Sequence, residues 1–303
     1  MVKILICDHV EVEQLALGPG FTVDYRPNIT KDELLEAAGG YDALIVRSRT
    51  KVDRAVLDRA AKLRLVARPG TGLDNVDVEY AKSKGVAVVN SPESLVEAVA
   101  EHVLGLMIGV SRKLVQSDAG IKAGKWEKNS LTGRELKGKV LGIVGVGRIG
   151  RRIGEVAKVM GMQILVYDVV PISQPVLDAI GARSVGLDEL FEGSDYITLH
   201  VPFTPETSHL VGLARISRMR RGAVLVNTSR GGVVDEDALA AALKEGRIGG
   251  AALDVFETEP PTGAIVAAPN TILTPHIGGQ TEEAQVNAIT VIGDKVRSFF
   301  ASG

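Results

Sequence analysis

One stretch, residues 141–150 (Leu-Gly-Ile-Val-Gly-Val-Gly-Arg-Ile-Gly), constrains the fold of this chain most strongly. Its apolar start is typical of a buried parallel strand, and Gly145, Gly147 and Gly150 then lead directly into a helix. Gly145 allows a tight turn, Gly147 lets the backbone approach a pyrophosphate, and Gly150 lets the helix pack closely on the strand. The stretch therefore predicts a dinucleotide site, with the pyrophosphate at the helix N-terminus.

An acidic residue in the expected place strengthens this prediction. The next apolar run, residues 162–167, ends at Asp168, about 20 residues beyond the glycine turn. A carboxylate there accepts hydrogen bonds from both ribose hydroxyls of an adenosine and repels a 2′-phosphate, which favours NAD over NADP. The alternative is that Asp168 is only a turn residue before Pro171.

Composition bounds the class of protein. The 303 residues are 24% charged and 45% hydrophobic, which is typical of a globular protein long enough for two domains. A net charge of −2 argues against a nucleic-acid or membrane partner. The single cysteine, Cys7, excludes an internal disulfide and favours a cytoplasmic location. We expect no signal peptide, no membrane span and no metal site.

Apolar runs alternate with helical patterns through residues 3–90 and again after Asp168. This alternation predicts an α/β fold with two parallel-sheet domains, Rossmann-like or flavodoxin-like. Ser94 and Glu97 have the spacing of a capping box that opens a helix reaching about Lys113, which is apolar enough to lie between domains or subunits. Residues 117–138 are rich in glycine and lysine, so they are predicted to be a connecting loop anchored by Trp126.

Two loops of the first half suggest an anion pocket. Arg47-Ser48 follows one apolar run, and residues 68–72, Arg-Pro-Gly-Thr-Gly, follow the next. Ligands of open α/β sheets bind at the carboxyl ends of strands. Gly70 and Gly72, on either side of Thr71, permit a nest of backbone N–H groups, and Arg47 adds a rigid fork of donors. The alternative for each loop is a surface arginine or a tight turn.

Three polar residues of the second half, Arg230, Glu259 and His276, each follow a predicted strand on the side of the glycine turn. Hydride transfer between nicotinamide and a C–OH or C=O centre needs a group that titrates near neutrality, which imidazole supplies. Glu259 would orient the ring of His276 and stabilise its protonated form. Arg230 would bind a carboxylate through two parallel hydrogen bonds. The trio predicts a 2-hydroxy acid dehydrogenase.

Each of these assignments has an alternative. Arg230 would otherwise pair with Asp235, Glu259 would be a solvated loop acid that leaves its role to Glu257, and His276 would be a turn residue. Three further histidines have other expected roles. His102 is expected at a packed position, His200 is expected to shape the cofactor cleft, and His209 is expected to be structural.

Five stretches carry a resemblance to a known family: residues 68–77, 142–150, 227–235, 251–260 and 274–279. The chain resembles the D-isomer-specific 2-hydroxyacid dehydrogenases over essentially its whole length. The resemblance implies that His276 is the general acid/base, that Glu259 is its partner and that Arg230 binds the substrate carboxylate. It also implies the NAD contacts, which are Gly145, Gly147, Arg148, Ile149, Gly150, Asp168, Asp254 and Gly278.

The resemblance further implies how the chain is organised. A discontinuous substrate domain would comprise residues 1–93 and 280–303, an NAD domain would comprise residues 94–279, and homodimers would form through the NAD domain. Within the family, the chain looks most like the members that act on D-3-phosphoglycerate. For those members, Arg47, Ser48 and the amides of Gly70, Thr71 and Gly72 would hold the substrate phosphate.

The expected function is therefore NAD-dependent oxidation of D-3-phosphoglycerate to 3-phosphohydroxypyruvate, the first step of phosphorylated serine synthesis. The nearest alternative is a reductase of glyoxylate, hydroxypyruvate or another small 2-keto acid, and an alternative of another class is a binding protein that senses NAD(H). Two features depart from the family pattern. Pro69 stands where relatives more often have a small residue, and the sequence ends at Gly303, so we do not expect the C-terminal serine-sensing domain of many relatives.

Overall fold

The computed structural model describes residues 1–301 and divides into two compact units. The first comprises Met1–Val96 and the C-terminal segment from Gly279, and the second comprises Glu97–Gly278. Each unit is built on a parallel sheet with helices, which confirms the predicted α/β class. The boundaries fall at Val96 where residue 93 was expected, and at Gly279 where residue 280 was expected.

The regular elements follow one another with short connections. The strands are β1 Val2–Ile6, β2 Phe21–Tyr25, β3 Ala43–Ile45, β4 Leu65–Arg68, β5 Ala87–Asn90, β6 Val140–Val144, β7 Gln163–Tyr167, β8 Ala182–Ser184, β9 Tyr196–Leu199, β10 Val224–Asn227, β11 Gly250–Leu253 and β12 Thr271–Leu273. The helices are α1 Lys31–Ala37, α2 Arg54–Arg59, α3 Val78–Ser83, α4 Val96–Ser111, α5 Leu114–Lys122, α6 Arg148–Val159, α7 Gln174–Ile180, α8 Leu187–Gly193, α9 Leu213–Ile216, α10 Glu236–Lys244 and α11 Glu282–Ala301.

The sheet of the first unit has the strand order β2-β1-β3-β4-β5, with every pair parallel. Side chains of β1 alternate between two cores, as the period of a strand requires. Ile4 and Ile6 pack in the core that includes Ile289 of α11, whereas Leu5 packs in the core on the other face with residues of α1 and α2. Because both faces are covered, the strands are almost continuously apolar. The loops after β1, β3 and β4 emerge at one edge of this sheet.

The sheet of the second unit has the order β12-β11-β10-β9-β6-β7-β8, again parallel throughout. The chain proceeds outward from β6 to β7 and β8, and it then returns to pair β9 on the other side of β6. The carboxyl ends of β6 and β9 therefore form the topological switch point where open α/β sheets bind ligands. The predicted glycine turn lies directly after β6.

Two local predictions are wrong. Residues 117–122 are helical, because they belong to α5, which a left-handed residue, Lys113 (φ 53°), separates from α4. The Leu, Gln, Ala and Lys residues of α5 support a helix more strongly than its glycine opposes one. The predicted capping box also does not form: Ser94 Oγ donates to the Ser91 carbonyl at 2.6 Å, and α4 begins at Val96.

Membrane-spanning helices and clusters of metal-binding side chains are both absent from residues 1–301. No helix in this range is long and apolar enough to cross a membrane. The same residues contain no group of three or more His, Cys, Asp or Glu side chains placed to bind a metal ion.

Candidate active site

The glycine turn after β6 has the geometry that its sequence predicts. Gly145 adopts φ 95°, and a Cβ atom there would collide with the carbonyl of His200. A Cβ on Gly150 would collide with the carbonyl of Gly145, so the absence of a side chain lets α6 start close to the strand. Gly147, in contrast, has no neighbouring atom within 4 Å of the place where its Cβ would lie. The turn therefore leaves open space beside its backbone for a pyrophosphate.

Asp168, at the end of β7, supports this turn. One carboxylate oxygen accepts the Val146 amide at 2.7 Å, and the other accepts the Val170 amide at 3.0 Å. Each carboxylate oxygen has a second lone pair, so Asp168 can still accept ribose hydroxyls while it holds the turn. Arg148 and Ile149 form the start of α6 beyond the turn. The residues present thus fit an adenine dinucleotide.

The structure brings His276 and Glu259 into direct contact. Nδ1 of His276 lies 3.1 Å from each oxygen of Glu259. Because a carboxylate can only accept, Nδ1 carries the proton of a neutral ring, and the lone pair is left on Nε2. The side chains of His276 and Glu259 are 52% and 43% exposed. This arrangement gives a proton acceptor that solvent and small ligands can reach.

Glu257, the alternative to Glu259, has other partners. It lies 3.3 Å from Nε2 of His209, and it accepts the backbone amide of Glu236 at 3.2 Å. The amide of Glu257 in turn donates to the carboxylate of Glu236 at 2.6 Å, and burial raises the pKa of Glu236. The contacts therefore leave Glu259 as the acid beside His276, and they account for His209 as a structural residue.

Arg230 lies on a turn held by two neighbouring residues. Its carbonyl accepts from Asn227 Nδ2 at 2.9 Å, and its guanidinium donates to the Ser229 carbonyl at 2.6 Å. A Cβ on Gly231 would collide with the backbone of Phe256 at the start of the segment that leads to Glu259. The structure thus places the Arg230 turn against that segment, while Asp235 caps α10 through the Ala238 amide at 2.9 Å.

Asp254 holds the segment around His276, residues 274–278. It accepts the Ile277 and Gly278 amides, both at 2.8 Å, and the Thr274 hydroxyl at 2.6 Å. Burial would raise the pKa of Asp254, but these hydrogen bonds, together with one from His102, hold it below its usual value. Because both carboxylate oxygens serve this segment, Asp254 positions it. Sequence reasoning missed the link to His102, since a single histidine on an apolar helix gives no signal of its partner.

His200 has an environment unlike that of His276. Its Nε2 lies 2.8 Å from the Thr198 hydroxyl, and burial lowers its pKa from 6.5 to about 3. The ring therefore stays neutral at physiological pH, which makes it unsuitable as a proton carrier. Its carbonyl packs against Gly145, so the residue helps to shape the glycine turn.

In the first unit, the loop after β3 presents the predicted anion ligands. The Arg47 guanidinium donates to Oε1 of Gln285 and, at 3.4 Å, to the His9 carbonyl. Burial lowers the pKa of Arg47, and the nearby carboxylate of Asp8 opposes that shift. The Ser48 hydroxyl accepts from Arg68 at 3.1 Å. Gln285, on α11, is a contact of Arg47 that sequence reasoning did not identify.

The neighbouring loop after β4 is partly engaged. Gly70 adopts φ 133°, and its amide donates to the Ser91 hydroxyl at 2.8 Å. The Thr71 carbonyl accepts from Asn90 at 2.6 Å, and Gly72 is partly buried. The Gly70 amide is thus already used within the protein, which weakens the predicted nest of three donors.

Comparison with protein families identifies the family to which the chain belongs. Residues 104–278 match the model of the D-isomer specific 2-hydroxyacid dehydrogenases, NAD binding domain. The chain belongs to this family. The match confirms the predicted cofactor, NAD, and it covers the glycine turn, Asp168 and the His276–Glu259 pair.

Individual relatives agree with this assignment. A D-3-phosphoglycerate dehydrogenase from Methanocaldococcus jannaschii is 44% identical over 98% of this chain and 57% of the relative. A hydroxypyruvate reductase from Thermotoga maritima is 43% identical over 85% of this chain and 84% of the relative. The crystal structure of the TT0316 protein from Thermus thermophilus superposes with a TM-score of 0.90 at 33% identity, covering 99% of this chain and 97% of that one. The chain spans about half the length of the phosphoglycerate dehydrogenases it matches, between 54 and 57%.

Proposed function

We propose that this protein is an NAD-dependent dehydrogenase that oxidises D-3-phosphoglycerate to 3-phosphohydroxypyruvate, as expected from the resemblance. The observation that carries the proposal is the His276–Glu259 pair, in which Nδ1 faces a carboxylate and Nε2 remains available. The phosphoglycerate dehydrogenases among the relatives support the choice of substrate.

The residues of the second unit would perform the proton transfer. NAD, when bound, supplies the acceptor for the hydride that leaves C2 of the substrate. Nε2 of neutral His276 takes the proton of the C2 hydroxyl, and Glu259 stabilises the imidazolium that forms. General acid/base catalysis of this kind contributes roughly 10²- to 10⁴-fold in rate. Arg230 would hold the carboxylate beside C2, since a guanidinium binds carboxylates with two parallel hydrogen bonds.

The residues of the first unit would bind the phosphate. Arg47 and Ser48 offer a guanidinium and a hydroxyl on one loop, and the present acceptor of the guanidinium, the side-chain amide of Gln285, is neutral. A phosphate dianion is a stronger acceptor than an amide oxygen, so it would draw donors of Arg47 to itself.

The alternative in the same class is a reductase of hydroxypyruvate or glyoxylate. The similarity to the Thermotoga maritima hydroxypyruvate reductase favours it, as does the engagement of the Gly70 amide by Ser91. This alternative uses the same His276, Glu259 and Arg230 but gives Arg47 no phosphate to bind. The binding protein that senses NAD(H) differs from both because it would need no proton acceptor.

One assay separates these functions. We would measure NADH oxidation at neutral pH with phosphohydroxypyruvate, hydroxypyruvate and glyoxylate as substrates. The proposal predicts a kcat/KM for the phosphorylated acid that is higher by roughly 100-fold or more, since a site built around a charged group rejects analogues that lack it. Equal use of the unphosphorylated acids would instead establish the reductase. NADH binding without turnover of any of the three would favour the sensor.

We also propose a homodimer formed through the second unit, and a cytoplasmic location. Apolar side chains on and beside α4 and α5 are unusually exposed, namely Ile108, Leu114, Val115, Ile121 and Trp126. Apolar side chains exposed in such number on two consecutive helices favour a protein interface. Light scattering during size-exclusion chromatography should give twice the mass of the 32.0 kDa chain. A monomeric mass at micromolar concentration would contradict the dimer.

A further inference from the structure

The residues that would bind the phosphate, Arg47 and Ser48, stand on a loop whose own backbone is held from two sides. We name residues 47–50, Arg-Ser-Arg-Thr, the 47–50 loop. It follows β3, and its conformation determines where the Arg47 and Ser48 side chains can reach. The residues that hold it are Asp8, just after β1, and Asn75, in the loop after β4.

Asp8 is the central acceptor of this loop. Its Oδ2 accepts the Arg47 amide at 2.5 Å. Its Oδ1 accepts the Thr50 hydroxyl at 2.9 Å and lies 2.9 Å from Nε of Arg49. The carboxylate is 4% exposed, and Arg49 is its cationic partner. A buried charge is tolerated only when such partners surround it, so the loop and Asp8 require one another.

Asn75 holds the backbone carbonyls of Arg47 and Thr50. Its Nδ2 donates to the Arg47 carbonyl at 2.7 Å and to the Thr50 carbonyl at 2.6 Å. Both ends of the loop are therefore fixed. Asp8 accepts from the Arg47 amide and the Thr50 hydroxyl, and Asn75 donates to the Arg47 and Thr50 carbonyls. The guanidinium of Arg49 adds bonds to the carbonyls of Ile29, Pro27 and Cys7.

We propose that Asp8 and Asn75 are positioning residues that determine the preference for a phosphorylated substrate, an inference that rests on the proposed function. Neither residue is one of the proposed phosphate ligands, since the contacts of both are to the 47–50 loop. They fix the loop so that Arg47 and Ser48 present their donors together, before the ligand arrives. Preorganisation of this kind increases affinity because the loop is already ordered, so no free energy is lost in ordering it when the ligand binds.

The test is a comparison of two substrates in three proteins: the wild type, Asp8→Asn and a control, Tyr41→Phe. Asn at position 8 has nearly the same size but no charge, so the hold on Arg47 and Arg49 weakens. The KM for phosphohydroxypyruvate should rise roughly 10- to 100-fold, as expected when a hydrogen bond to a charged group is lost. The kcat should stay within about threefold, since the phosphate contact is the same in the ground and transition states. The kinetics with hydroxypyruvate should not change.

The control removes another side-chain hydrogen bond to a carboxylate of the same unit. Tyr41 Oη donates to Asp24 at 2.5 Å near the start of β3, at the opposite end of that strand from the loop. Tyr41→Phe should lower the unfolding temperature without changing either KM. If Asp8→Asn behaves like this control, or raises both KM values equally, Asp8 is only structural and the inference is wrong.

The kinetics of the wild type distinguish a failure of the proposed function from a failure of the role of Asp8. A wild type without preference for the phosphorylated acid overturns the proposed function, and the inference with it. A wild type with that preference, which Asp8→Asn retains, overturns the inference alone.

Two further measurements apply if Asp8→Asn does not fold. Asn75→Ala leaves no buried charge unpaired and should show the same selective rise in KM. In the wild type, the Arg47 amide should exchange its hydrogen slowly, because Asp8 accepts it. Rapid exchange of that amide would contradict a fixed loop.

Discussion

The proposed proton-transfer pair and the 47–50 loop are built in opposite ways. His276 and Glu259 are about half exposed and contact each other through one ring nitrogen. In the loop, the anchoring carboxylate of Asp8 is 4% exposed, and the Arg47 amide and the Arg47 and Thr50 carbonyls are all hydrogen-bonded. A group that must gain and lose a proton needs access and an unused lone pair, whereas a group that selects a ligand needs a fixed position. The difference predicts that substitutions in the two regions affect different kinetic constants.

The largest expected effect is on kcat and comes from His276. His276→Ala should lower kcat by roughly 10²- to 10⁴-fold, because it removes the acceptor for the hydroxyl proton, and KM should change little. Glu259→Gln, which keeps the shape but loses the charge that stabilises imidazolium, should cause a smaller loss. Steady-state NADH oxidation over a range of substrate concentrations measures both constants. A normal kcat in His276→Ala would show that His276 is not the proton acceptor.

The next effect is on KM and comes from the loop. Arg47→Ala should raise the KM for phosphohydroxypyruvate by roughly 10- to 100-fold with kcat nearly unchanged, since the phosphate is bound equally in the ground and transition states. Lys3→Ala is a suitable control, because it removes an exposed cation of the same unit. If KM stays constant in Arg47→Ala, the guanidinium is not a phosphate ligand. A fall in kcat instead would show that substitutions in the two regions do not affect different kinetic constants.

Sequence reasoning predicted the glycine turn well because the constraints there are local. The space around Gly145 and Gly150 is limited by atoms a few residues away or on the adjacent strand, and only glycine satisfies it. The positions of His276 and Glu259 followed from a similar rule, that residues after parallel strands meet at one edge. The pairing of His276 with Glu259 was expected with Glu257 as the alternative, and in the structure Glu259 lies beside His276 while Glu257 faces His209.

The contacts that sequence reasoning missed all join residues far apart in the chain. Arg47 meets Gln285, which lies 238 residues later, and Asp8 meets Arg47 from 39 residues away. Neither Gln285 nor Asp8 stands in a pattern that names its partner. The capping box failed for a different and local reason, since the Ser94 hydroxyl donates to the Ser91 carbonyl three residues earlier. Local spacing predicts what a segment can do, whereas packing decides which of its options is used.

The smallest expected effect is on stability. It tests whether His200, unlike the exposed His276, is buried deeply enough to stay neutral. The pKa of His200 is about 3 in the folded protein against 6.5 ordinarily, so between these values the unfolded chain binds the extra proton. Folding stability should therefore be complete above pH 6.5 and should fall as the pH decreases, by about 2 kcal/mol at pH 5 from this residue. Urea unfolding at pH 7 and pH 5 measures it, and His200→Gln, whose amide can still bond Thr198, should lose less stability over that interval than the wild type. Equal losses would mean that His200 is protonated in the folded state, and its environment would then resemble that of His276.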